Sequence, residues 1–255
     1  MCLLLFAWMV RDDYPLVLAA NRDEFYERPT APAEFWEDAP DILAGRDLRE
    51  GGGWLGVTRG GRIAALTNYR DPASLKANAP SRGALVSGYL RGSGAPDRYL
   101  AGLAEVANCY NGFNLLAGYF SGLYYFSNRG AARQKLETGI HGMSNSLLDV
   151  PWPKVLRGKK KLAAIVAGKG RPTTERLFRL LSDRAIPPDH QLPDTGVGLE
   201  WERLLSSLFI QSPTYGTRSS TVLLVDKNGK TTFAERVFDA RGYPWMTAHF
   251  KFTCG

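Results

Sequence analysis

The chain has 255 residues, 44% hydrophobic and 22% charged, a composition that excludes a disordered or fibrous protein and suits one domain over 1–255. A net charge of +7 favours anionic partners through the general field, but no segment interleaves aromatics with basic residues as a nucleic-acid surface does. Three widely spaced cysteines, Cys2, Cys109 and Cys254, form neither a disulfide framework nor a zinc pattern, and a reducing, cytoplasmic compartment suits them.

The chain opens MCLLLFAWMV, an apolar run closed by Arg11-Asp12-Asp13. It is far short of the roughly 20 residues that span a bilayer, and no basic segment precedes it as in a secretory signal. The sequence therefore predicts a soluble protein without a transmembrane segment, its basic surface leaving peripheral membrane contact open. Residues 3–9 and 15–20 read as a hairpin. Residues 25–53, with Pro29, Pro32, Pro40 and the exit Gly51-Gly52-Gly53, read as a long loop forming a lid or rim over a site. A second hairpin joins 53–58 to 62–67 around Arg59-Gly60-Gly61. Helices are expected over 81–90 and 97–109, and a third hairpin joins 113–118 to 123–127.

Helical segments follow at 153–181 and 198–208. The first carries Arg157, Lys159, Lys160 and Lys161, the densest basic cluster, read as a solvated helix face. A last hairpin pairs 220–225 with 231–236 around Asn228-Gly229, a strong turn signal. Hairpins segregated from helix pairs predict an α+β fold with mainly antiparallel sheets. The very apolar first and last strands are expected to be neighbours in the middle of a covered sheet.

No phosphate-binding loop, paired histidines or nucleophile-elbow motif is present, and no metal site is expected. Cys2 is the candidate that remains. Were Met1 removed, Cys2 would carry a thiol and a free α-amine on one residue, the arrangement in which a single residue supplies both nucleophile and base. The alternative is a small apolar residue starting a strand. The second strand ends in Asn21-Arg22-Asp23-Glu24. In a hairpin these lie beside the start of the first strand, where Asp23 can orient the Cys2 amine and Arg22 can hold a thiolate or a substrate carboxylate. A turn bearing a surface Arg–Glu pair is the other reading. Asn68, Asn145 and Arg218 likewise stand at strand ends, where asparagine amides suit an oxyanion hole and where caps and turns also occur.

Asn21-Arg22-Asp23-Glu24 is the signature of the NRDE family, also called the transport and Golgi organisation protein 2 family. The resemblance extends through Thr67-Asn68-Tyr69-Arg70, Ser81-Arg82-Gly83, Gly112-Phe113-Asn114, His141-Gly142-Met143-Ser144-Asn145, Pro151-Trp152-Pro153-Lys154 and Gly216-Thr217-Arg218. It implies the four-layer αββα sandwich of N-terminal-nucleophile hydrolases, similar to the choloylglycine hydrolase and penicillin V acylase type. It further implies a catalytic set of Cys2, Asp23, Asn68, Asn145 and Arg218 acting on a small anionic or acyl-containing ligand, with no cofactor needed for hydrolysis. Asn21, Arg22, Glu24, Arg70, His141 and Met143 are the expected ligand-binding residues. The same resemblance carries a non-enzymatic reading as a haem-trafficking or lipid-like anion carrier, with His141, Met143 or Cys2 as iron ligands and Arg22, Arg70 or Arg218 on the propionates. One departure stands out. Those amidases space the strand-two arginine and aspartate three apart, whereas Arg22 directly precedes Asp23, which predicts opposite faces on a strand.

Overall fold

The computed structural model describes residues 2–130 and 133–254, Cys2 by its backbone alone. The expected first hairpin forms from β1 (Cys2–Trp8) and β2 (Leu16–Phe25). The segment expected to be a loop is instead two strands, β3 (Thr30–Trp36) and β4 (Ala39–Asp47). Pro32 is tolerated because β3 is an edge strand whose pairing with β4 is interrupted twice, between Ala31 and Glu34 and between Phe35 and Trp36, and Pro40 precedes the Ile42 to Ala44 stretch of β4 that pairs with the next strand. Next come β5 (Leu55–Thr58), β6 (Arg62–Asn68), α1 (Gly83–Arg91), α2 (Pro96–Val106), β7 (Phe113–Tyr119), β8 (Gly122–Ser127), β9 (Gln134–Lys135) and β10 (Gly139–Met143). The remainder is α3 (Pro153–Val166), α4 (Thr174–Leu181), α5 (Leu199–Leu205), β11 (Tyr215–Val225), β12 (Lys230–Phe238) and β13 (Pro244–Thr253).

The strands form two antiparallel sheets, ordered β10-β1-β2-β11-β12-β13 and β3-β4-β5-β6-β7-β8-β9. The last apolar hairpin therefore joins β2, through β11, and not β1 as expected. What places it there is the long β2, which offers its second edge to β11 over ten residue pairs, from Phe25↔Tyr215 to Leu16↔Val225.

Strand alternation sorts the side chains into layers. Leu4, Phe6, Trp8, Leu16, Leu18 and Ala20 point between the sheets, where they pack with Trp54, Leu55, Val57, Ile63 and Leu116. Leu3, Leu5, Ala7, Val17 and Ala19 point the other way, onto Val155 and Leu162 of α3 and Leu177, Phe178 and Leu181 of α4. On the outer face of the second sheet, Leu85, Val86, Tyr89 and Leu90 of α1 and Leu100 and Leu103 of α2 cover Ala64, Leu66, Leu115 and Ala117. The result is helices, sheet, sheet, helices. Each buried leucine or phenylalanine contributes roughly 1.5–3 kcal/mol, so both faces of β1 anchor it. Gly158 lets α3 close on that strand, since a Cβ there would meet Leu5 Cδ1 at 2.6 Å. Among the described residues no helix is long and apolar enough to cross a membrane. The basic helix α3 is largely neutralised at its surface, Lys159 pairing with Asp149 and Arg157 and Lys161 with Asp183.

Candidate active site

The register sets Cys2 opposite Arg22 at the end of β1. The Cys2 side chain and Met1 lie outside the described residues. Because successive strand residues face opposite sides, Arg22 and Asp23 serve different layers, as their adjacency predicts. Arg22 turns between the sheets. It is 5% exposed, its guanidinium lies 4.2 Å from the Trp54 ring centroid, its Nη1 donates to Thr30 Oγ1 at 3.0 Å and its Nη2 is 3.9 Å from Asp47. Asp23 turns toward the helices and is 1% exposed, its Oδ1 accepting from Thr217 Oγ1 at 2.7 Å. Thr217 Oγ1 in turn accepts from the Ile210 N–H at 2.9 Å, which fixes the hydroxyl's direction. Burial pushes the Asp23 carboxyl up, while the charge of Lys154 and the Thr217 hydrogen bond pull it back.

A cleft of about 220 Å³ opens at this end of the sheets, lined by Arg22, Asp23, Glu24, Arg28, Asp47, Trp54 and Asn68, with Ser81 to Gly83 closing one side. The strands expected to be a lid form part of its wall, through Asp47 of β4. Asn68 is the last residue of β6. Its carbonyl accepts from Asn145 Nδ2 at 2.9 Å, and the Asn145 carbonyl accepts from Arg70 N–H at 2.8 Å. These two bonds lock the expected oxyanion pair together. The loop bearing Asn145 is held further by Asn114, which donates to Thr67 Oγ1 and the Ser146 carbonyl, and by Tyr125, whose hydroxyl donates to Asn114 and accepts from Leu148 N–H.

Other expected residues stand elsewhere. Asn21 faces the helix layer, donating to the carbonyls of Leu181 and Leu208 and accepting from Ser220 Oγ, so it ties strand to helices and does not meet the cleft. Arg218 clamps the turn after β2, donating to the carbonyls of Phe25, Tyr26 and Arg28. Arg70 is buried against Glu202 at 2.6 Å and over Trp152. Met143 is wholly buried between the sheets. His141 bonds through Nδ1 to Asp149 at 2.8 Å and through Nε2 to the Glu137 carbonyl at 3.0 Å.

Of the expected iron ligands, His141 has both nitrogens engaged and Met143 is walled in, while the Cys2 side chain lies outside the described residues. Among the described residues no cluster of His, Cys, Asp and Glu suits a metal ion.

The His141 pair predicts a pH response. The Asp149 hydrogen bond raises the His141 pKa against a smaller opposing effect of burial. For Asp149, burial pushes upward, but the bonds from His141, Lys159 and Gly142 N–H outweigh it and leave the carboxyl lowered. His141's contribution to stability is thus complete below its unfolded value of about 6.5 and fades as pH rises through the higher folded value. Asp149's contribution is present above about 3.8 and fades as pH falls through its depressed value. His141→Gln should therefore flatten the alkaline side of the stability–pH curve above pH 6.5, read as unfolding midpoint across pH. A curve parallel to wild type there would refute the pairing.

Sequence reading missed Trp54, on which Arg22 rests, and Lys154 and Glu202, both buried. A tryptophan after a glycine run carries no signal of its own. A lysine in the first turn of a helix does, because the positive end of the helix dipole disfavours it there.

Two facing antiparallel sheets between helix layers, with a cleft where β1 begins, define the fold of the N-terminal-nucleophile hydrolases. Among solved structures, the chain is similar to penicillin V acylase from Agrobacterium tumefaciens, with a TM-score of 0.50 and 13% identity over 99% of this chain and 86% of that one. It is also similar to the C2A mutant of the conjugated bile acid hydrolase from Clostridium perfringens, with a TM-score of 0.51 and 7% identity over 100% and 98%. At such identities the likeness shows the fold alone. The family model "Transport and Golgi organisation 2" matches residues 1–240, and the chain belongs to that family. It is 39% identical to the Transport and Golgi organization protein 2 homolog of Bos taurus over 92% of each chain. It is 36% identical to the Homo sapiens homolog over 99% of each.

Proposed function

We propose that the chain is an N-terminal-nucleophile-type hydrolase of a small amide or thioester, working in the cytoplasm, with Cys2 as nucleophile once Met1 is removed. The observation that carries this reading is the meeting of Arg22, Asp23 and Asn68 in one small polar cleft at the strand end where Cys2 pairs with Arg22. The thiol gives its proton to the α-amine, whose ordinary pKa of about 7.7–8.0 lets it act as base near neutrality. The sulfur attacks the substrate carbonyl, and the leaving amine or thiol takes up the proton. Water then cleaves the thioester so formed, returning the carboxylic acid and the free thiol. Asp23 orients the α-amine, Asn68 and Asn145 donate to the oxyanion, and Arg22 faces the substrate with its cation. Arg218 acts by bracing the turn beside Arg28.

Intact mass and active-site labelling test the reading. The purified chain should be lighter than the full sequence by one methionine and should take up one equivalent of an activated acyl ester, a label lost in Cys2→Ala. A retained Met1 blocks the base and ends the mechanism. So does an acyl adduct that persists in Cys2→Ala.

A further inference from the structure

The break in the pairing of β3 with β4 between Ala31 and Glu34 leaves a buried donor to be placed. Pro32 has no N–H, and Ala33 lies outside the ladder, buried. The Ala33 N–H donates instead to Glu235 Oε1 of β12, in the facing sheet, at 2.7 Å. Glu235 is only 1% exposed. Its Oε2 accepts at 3.1 Å from the hydroxyl of Thr221, the residue opposite it on β11. A carboxyl buried without such donors is costly; here its two oxygens take two donors, one from each sheet. Glu235 is therefore a tie across the sandwich, from the interior of the six-stranded sheet to the edge strand β3. What it steadies is the start of that strand. Three residues before Ala33, Thr30 Oγ1 accepts from Arg22 Nη1 at 3.0 Å and donates to the Arg28 carbonyl at 3.2 Å. Thr30 pairs with Asp47, whose carboxylate stands 3.9 Å from Arg22 Nη2. Thr30, Glu235 and Trp54 line one void of about 50 Å³, and Trp54 carries the Arg22 guanidinium over its ring.

We propose that Glu235 is a positioning residue for Arg22: by fastening the bulge of β3 to β12, it sets where Thr30 and Asp47 hold the guanidinium at the cleft. The inference rests on the hydrolase reading for its purpose, the aiming of a cation at the substrate, but not for its geometry. A bulge beside a site re-aims the strand that carries it, and here a side chain from the other sheet fixes the aim. Two of the groups that hold Arg22, Thr30 and Asp47, belong to the β3–β4 pair. Releasing Ala33 from Glu235 frees that pair to shift, and the guanidinium shifts with it.

The test follows Arg22 directly. Its guanidinium lies 4.2 Å from the Trp54 ring centroid, so the ring shifts the NMR resonance of the Arg22 Nε–H in nitrogen-15-labelled protein, and Arg22→Lys assigns the signal. In Glu235→Met, which fills the space but accepts nothing, the signal should lose that shift. Glu235→Gln keeps an acceptor for the Ala33 N–H and should keep the wild-type resonance. Leu162→Ala, in the core under the helix layer, should lower the unfolding midpoint and leave the resonance in place. A glutamate that only stabilises the fold behaves as Leu162 does, so an unmoved Arg22 signal in Glu235→Met overturns the proposal. Should Glu235→Met not fold, Glu235→Asp, one methylene short of Ala33, is read in the same way; if neither folds, the carboxyl serves the fold as a whole and the proposal falls. Acyl labelling of Cys2 on the same samples separates the two readings. Labelling of Glu235→Met should slow by up to about 100-fold, the cost of misplacing a group by about 1 Å. Wild type that takes no label while its Arg22 still answers to Glu235 sinks the hydrolase and spares the tie.

Discussion

Replacing Glu202 by alanine should lower the unfolding free energy by about 3–5 kcal/mol, the cost of stranding one member of a buried ion pair. Both side chains are almost sealed, 5% exposed for Arg70 and 4% for Glu202. Burial pulls the Arg70 pKa down and the charge of Glu202 holds it up, so the carboxylate is what keeps a guanidinium tolerable in that place. Glu202 also gathers the N–H and hydroxyl of Thr195, at 2.8 and 2.5 Å, fixing the segment before α5. The pair itself is not the source of stability. Exchanging both residues for apolar ones of like volume, Arg70→Met with Glu202→Leu, should recover most of the loss, because desolvation then has nothing to penalise. Urea unfolding of wild type, Glu202→Ala and the double variant measures this. A loss below about 1 kcal/mol in Glu202→Ala, the level of an exposed pair, would show that water reaches the site. Lys154 lines the same small void as Arg70 and Glu202, so a substitution there will not add independently.

The second large effect is kinetic. Asn68→Ala should slow acylation of Cys2 by about 10²–10³, as removal of one oxyanion donor does elsewhere, with the unfolding midpoint unchanged. The two asparagines differ in a way that makes the experiment specific. Asn145 is tied by its side chain to the Asn68 carbonyl, a backbone atom that survives truncation of Asn68. Asn145→Ala removes that tie and its contact with Arg70 Nη2 at 3.3 Å, so it should lose both rate and stability. Single-turnover labelling beside thermal unfolding distinguishes the pair. A slowing of less than tenfold in Asn68→Ala would remove it from the chemistry.

The fold was legible where periodicity was strong. Leu3 to Trp8 and Leu16 to Ala20 are nearly pure apolar because both sheet faces are covered, and the antiparallel pairing of the two follows from their short link. The strands β3 and β4 were hidden by Pro32, Pro40 and the bulged pairing, which break the alternation that strand recognition depends on. The strand β13 alternates half-buried Met246, Ala248, Phe250 and Phe252 with exposed neighbours, but as an outer strand it buries too little to stand out. Within the site, the polar end of β2 announced Arg22 and Asp23. What it did not announce is that Asn21 and Arg218 are spent on backbone carbonyls. A side chain's type tells what it can bond; which partner it finds depends on elements 160 to 190 residues away.

The strand pairing also bears on how the protein should be produced. The row holding Cys2 runs across its sheet through Arg22, Ser219, Val237 and Met246, whereas Thr253 pairs with Lys230 at the far end of β12. An affinity handle or fluorescent reporter appended after residue 255 therefore stands clear of the cleft. The same handle placed before residue 1 would cap the amine on which the proposed chemistry depends, giving a folded but silent protein. Vector choice alone thus supplies both the working preparation and its matched control.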